Sequence, residues 1–193
     1  GVDIINHSVG WVNTNFTDGA GVICGITDDA RAKGILWVNA AGNSAQRHYQ
    51  GSFSDIDDDG WHEFASGDET NDIQLTTWAY IYVFLTWDSW PITDQDYDLY
   101  LYDDALNLVA WSEDWQTGTQ PPTEAIYYIA SPGTYKIAVG KYSATGTQKL
   151  KVFTFYQNLE YQTPAHSLMA PADAAGVMAV AAIDQAKWTA GPQ

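Results

Sequence analysis

Gly34-Ile35-Leu36-Trp37-Val38-Asn39-Ala40-Ala41-Gly42-Asn43-Ser44 reads as a strand, Ile35 to Ala40, that runs into a turn of small residues. Apolar residues with one polar break suit a parallel strand covered on both faces. Ala41 and Gly42 carry almost no side chain, so another chain can approach their backbone closely. Asn43 then stands at the carboxyl end of a strand, where open α/β sheets place ligands and chemistry. Its amide can donate a hydrogen bond to developing negative charge. Taken alone, Ala-Gly-Asn-Ser is a turn and nothing more.

The preceding residues argue for more than a turn. Gly1-Val2-Asp3-Ile4-Ile5-Asn6-His7-Ser8-Val9-Gly10 reads as a second strand. Between the two, Gly21 to Lys33 has Ile23, Ile26 and Ala30 at helical spacing, with Asp18 as N-cap and Gly34 as stop. Strand, helix and strand of these lengths make a right-handed βαβ unit. The pair Ser8-Val9-Gly10 and Ala40-Ala41-Gly42-Asn43 resembles the subtilisin-like serine proteases. Further on, Ala175 to Asp184 resembles that family's next sheet strand, Pro171-Ala172-Asp173-Ala174 its lead-in, and Trp188-Thr189-Ala190-Gly191-Pro192 the segment after it.

The resemblance implies a secreted endopeptidase acting through an acyl-enzyme on a peptide or protein. Asn43 would be the oxyanion donor, and Ser8, Val9, Gly10, Ala41 and Gly42 would border the peptide. The family's Asp, His and Ser would lie outside this stretch, since no Gly-Thr-Ser follows Asp184. The chain therefore reads as part of a longer protein, inactive alone. The expected location is extracellular.

From about Ile73 the period switches to two, and short strands follow one another: 78–87, 98–102, 106–111, 125–129, 135–139 and 150–156. Gln46 to Phe53 reads as a loop leaving the first sheet. Strands at this spacing indicate an antiparallel sandwich. Asp96-Tyr97-Asp98-Leu99-Tyr100-Leu101-Tyr102 and Pro132-Gly133-Thr134-Tyr135, with Leu108 to Ser112 and Pro122-Thr123-Glu124, resemble the bacterial pre-peptidase C-terminal domain. The expected fold is thus α/β plus all-β. A partial subtilisin-like parallel layer, 1–50 and 163–193, is interrupted by a jelly-roll-like antiparallel β-sandwich, 51–162.

Composition removes several classes. With 24 Asp and Glu against 8 Lys and Arg, the net charge of −16 argues against nucleic acid. No apolar run reaches the roughly 18 residues of a membrane span. Asp55-x-Asp57-x-Asp59-Gly60 matches the first half of a calcium loop, and Glu63 could add a ligand. Position 12 of that pattern is Ser66, so a calcium site and a solvated acidic turn both stay open. Asp94-x-Asp96-x-Asp98 is a weaker candidate, with Asp98 better read as a turn cap. Cys24 reads as a small core residue, His7 as a core or supporting residue rather than a catalytic one, and His48 and His166 as structural or exposed. Six tryptophans, Trp61, Trp78, Trp87, Trp90, Trp111 and Trp115, fall in the inserted block. They suit a small core, and exposed ones could bind polysaccharide or insoluble protein, which makes a non-catalytic binding module the alternative function.

Overall fold

The computed structural model describes residues 1–183; Asp184 and the Trp188–Pro192 stretch lie outside them. Three parallel strands form one small sheet: β1 (Ile4–His7), β2 (Leu36–Ala40) and β11 (Val177–Val180), in the order β1-β2-β11. Between β1 and β2 runs the helix α1 (Gly21–Ala32). Its buried side is Cys24, Thr27 and Ala30, one helical turn apart, with Cys24 packed on Ala170 and Ala174 beside Val177.

The rest of the secondary structure is antiparallel. In chain order the strands are β3 (His48–Ser52), β4 (Asn71–Leu75), β5 (Ala79–Trp87), β6 (Asp96–Asp103), β7 (Leu108–Ser112), β8 (Thr123–Ala130), β9 (Gly133–Ser143) and β10 (Lys149–Thr154). They pair as β3-β10-β5-β8 and β4-β9-β6-β7, two four-stranded sheets with the connectivity of a jelly roll. Alternation explains the core: Ile81, Val83, Leu85 and Trp87 from β5 meet Tyr97, Leu99 and Leu101 from β6, all fully buried. Trp87 and Tyr97 pack edge to face at 5.4 Å.

Several expectations are corrected. Residues 48–52 are not a loop but β3, paired with β10 along its whole length. The helix is capped at Ala20, not Asp18, whose carboxylate instead accepts the Ala20 N–H at 3.0 Å in a turn just before the helix. Gly34 does end the helix, with φ +79°. Ile26 is 55 % exposed, because the buried stripe runs through Cys24 and Thr27 instead. Nor is the parallel sheet covered on both faces among the described residues. Ile4, Leu36, Met178 and Val180 share a face by register and are all exposed. Asp98 is buried in β6, where Tyr100 donates to it at 3.1 Å, rather than capping a turn.

A buried lysine joins the sandwich to the small sheet's loops. Lys151 on β10 is 1 % exposed. Its ammonium donates to the Phe16 carbonyl at 3.0 Å, to the Thr17 hydroxyl and to the His166 carbonyl at 3.4 Å, and it sits 4.6 Å from the Phe16 ring centroid. Neutral acceptors offset only part of the cost of burying this charge, and burial pulls its pKa down to about 8.

Glu124 is the opposite case: a carboxylate on β8, 2 % exposed, facing the space between the sheets. Burial pushes it up to about 7, against the opposing hydrogen bonds from Ser112, Gln116 and the Asp114 N–H. A folded-state pKa above the unfolded one means the folded chain holds the proton more tightly. Its contribution is complete below about pH 4 and is lost as pH rises to 7. Wild type should therefore lose on the order of 2 kcal/mol at this group between pH 5 and 8. Denaturant titrations at both pH values check this, and Glu124→Gln should flatten that part of the profile.

Candidate functional site

Parallel strands all end on one edge, so β1, β2 and β11 deliver Ser8, Ala41 and Ala181 to the same side of the small sheet. There Ser8, Val9, Gly10, Ala40, Ala41 and Gly42 line one cavity of about 180 Å³. Two further walls come from later in the chain: Phe155, just past β10, and Met169. A Cβ on Gly10 would lie 3.1 Å from the Met169 Cβ, so a larger residue there would press on that wall. Gly42, at φ +87°, turns the chain away from β2 in a conformation that favours glycine.

Asn39, the polar break in β2, organises this edge. It is 1 % exposed. Its side-chain oxygen accepts from His7 Nδ1 at 2.6 Å and from the Trp37 indole at 3.4 Å. Its amide group donates to the carbonyls of Ala40 at 2.9 Å and Val9 at 3.4 Å, tying the ends of β1 and β2 together. Trp11 stacks on the His7 ring at 5.4 Å. His7 is thereby committed to a packing role. Sequence reading passed over Asn39; a lone amide inside an apolar strand was the available signal.

Asn43 is exposed and takes no part in lining the cavity; among the described residues its side chain makes no hydrogen bond. The preceding Ala41 N–H donates to Val180 at 2.9 Å, which sets the direction of the turn. His48 and His62 are both fully buried, and burial pulls each down to about 4, so they stay neutral at physiological pH. Cys24 is buried against Asp173, and burial first, then that carboxylate, push its thiol up to about 12, which rules it out as a thiolate nucleophile.

In the acidic loop, carboxylate oxygens of Asp55, Asp57 and Asp59 lie within 4.8 Å of one another. That matches the span across a calcium ion with oxygens at about 2.4 Å. Asp55 already accepts from the N–H groups of Asp59 and Gly60 and from Lys141 at 3.0 Å. Glu63 stands outside this group of three, with a buried Oε2 that has no partner among the described residues.

The fold is therefore that of a β-sandwich joined to a small parallel sheet. No protein-family model and no curated protein matches the chain. Among solved structures it is similar to the pre-peptidase C-terminal domain of a Bacillus anthracis collagenase. That likeness has 16% identity, covers 61% of this chain and 96% of that one, and has a TM-score of 0.40. A carbohydrate-binding module of Cellvibrio mixtus lichenase 5A, solved with cellotriose, is similar at 11% identity, 61% and 95% coverage and a TM-score of 0.31. A Paenibacillus cycloisomaltooligosaccharide glucanotransferase is similar at 12% identity, 83% and 25% coverage and a TM-score of 0.29. Likenesses this distant carry no argument about mechanism.

Asn39→Ala should cost about 2–3 kcal/mol, since the His7 ring and two carbonyls lose their partner in a buried place. Urea unfolding measures the loss. NMR shifts of Ser8, Val9 and Ala41 should move while those of β5 and β6 do not.

Proposed function

We propose that this chain is part of a secreted subtilisin-like serine endopeptidase, in which a serine outside residues 1–193 attacks the peptide carbonyl. One observation carries the reading: Ser8-Val9-Gly10 and Ala40-Ala41-Gly42, separated by a helix in sequence, line one cavity at the carboxyl edge of a parallel sheet. A peptide strand laid along that edge would pair with its backbone, and a side chain would enter the cavity. Asn43, exposed beside this edge, would donate to the oxyanion. No described helix is long and apolar enough to cross a membrane.

The test uses the full-length protein that carries this chain. A fluorophosphonate probe should label one serine outside residues 1–193. Asn43→Ala should lower kcat on a chromogenic peptide by roughly 10²–10³-fold, the size known for the oxyanion asparagine of subtilisin. No labelling, or an unchanged kcat, contradicts the proposal.

Calcium belongs to the same reading. Asp55, Asp57 and Asp59 would hold it, with water completing the shell and Lys141 releasing Asp55. Chelator should then lower the melting temperature, and Asp57→Asn with Asp59→Asn should abolish the response. Melting that ignores both calcium and chelator contradicts this part.

The alternative, a non-catalytic binding module, draws on the exposed rings of the sandwich. Trp78, Trp115 and Tyr127 are each about two-thirds exposed. Retention on insoluble polysaccharide or fibrous protein, with no serine labelled, favours it.

A further inference from the structure

The outer face of the β4-β9-β6-β7 sheet carries rings at alternate positions. Tyr100 and Tyr102 of β6 stack at 6.5 Å. Residues 60–62 extend the sheet beyond β4: the His62 N–H donates to Val139 and the Lys141 N–H to Gly60. This lays Trp61 across Gly140, with its ring 5.1 Å from Tyr100. Between Trp61 and Tyr102 opens a cavity of about 270 Å³. Glu69, Thr70, Leu106 and Ala138 complete its lining. Leu106 holds φ +61° at the tip of the β6–β7 hairpin, fixed by its N–H to Asp103 at 2.9 Å.

Among the described residues that line this cavity, only Glu69 is charged. Among the described residues Glu69 accepts no hydrogen bond and pairs with no base; the two ion pairs nearby, Lys136 with Asp72 and Lys141 with Asp55, are already made. Burial and the carboxylates of Asp59, Asp57, Glu63 and Asp55 all push Glu69 upward, which places it amid four like charges. Two rings, a free carboxylate and a leucine suit a soft, weakly hydrated cation. A hard divalent ion wants six or more oxygens, which these walls do not supply. A sugar would need more hydrogen-bonding groups than Glu69 and Thr70 offer.

We infer that the cavity between Trp61 and Tyr102 binds an organic cation through the two rings and the Glu69 carboxylate. The ammonium of a lysine on a partner polypeptide and a free quaternary ammonium share this chemistry. The inference goes beyond the protease reading and needs no serine.

The experiment is an NMR titration of this chain, with chelator present throughout, following the Trp61 indole N–H assigned by its loss in Trp61→Phe. Tetramethylammonium and N-acetyl-lysine amide should each give a saturable shift; which of them binds more tightly separates a free cation from a side chain. Neopentyl alcohol, the neutral counterpart, should give none. Glu69→Gln, at a half-buried position with no hydrogen bond to lose, should weaken both cations roughly tenfold with the far-UV spectrum unchanged. Equal binding of the neutral probe, unaltered affinity in Glu69→Gln, or no response to either cation overturns the inference.

Discussion

Parallel strands cannot be joined by a hairpin, and this constraint shapes the whole chain. β1 reaches β2 through a helix. β2 reaches β11 only after the chain has built an eight-stranded sandwich between them. Such a crossover leaves the sheet unstrained only if the sandwich begins and ends at nearly the same place. It does so because its first and last strands, β3 and β10, are paired neighbours, with His48 opposite Phe153. The insertion is thus closed on itself before the chain returns to pair with β2.

That closure also decides what surrounds the sheet's carboxyl edge. Phe155 directly follows Thr154, the last residue of β10, and Met169 lies on the returning segment, so both become walls of the cavity at the β1 and β2 exits. Lys151 fixes the relation from the sandwich side, with three oxygen acceptors in the Phe16–Thr17 loop and at His166. Asn39 fixes it from the sheet side. Two buried polar side chains, each hydrogen-bonded at several points, hold the geometry that apolar packing alone would leave loose.

Strong periodicity made much of this legible beforehand. Apolar runs at β1 and β2, helical spacing between them, and alternation through β5, β6 and β9 all point to the elements found. β3 was hidden because His48 and Tyr49 are both buried although they face opposite sides. His48 is covered by the returning chain, its Nδ1–H donating to the Thr163 carbonyl at 2.6 Å, while Tyr49 enters the sandwich core. A strand covered on both faces loses its period of two. Asn39 and Glu124 were missed for a related reason: a buried polar group is defined by partners distant in sequence, as with Glu124 and Ser112. Of the residues bordering the cavity, Ala41 and Gly42 stand out in the sequence by their small size, while Ser8, Val9 and Gly10 enter only through the family resemblance. The cavity's other walls were not legible, since Phe155 and Met169 belong to it only through the fold.

The central claim is that the two ends of the described chain form one sheet around β2. Hydrogen exchange at the Ala41 amide, which donates to Val180 across the β2–β11 pair, tests this most directly. The account predicts slow exchange there and at the Leu36 amide, which donates to the Asp3 carbonyl. Exchange of both at the rate of an unstructured peptide, while β5 and β10 stay protected, would contradict it.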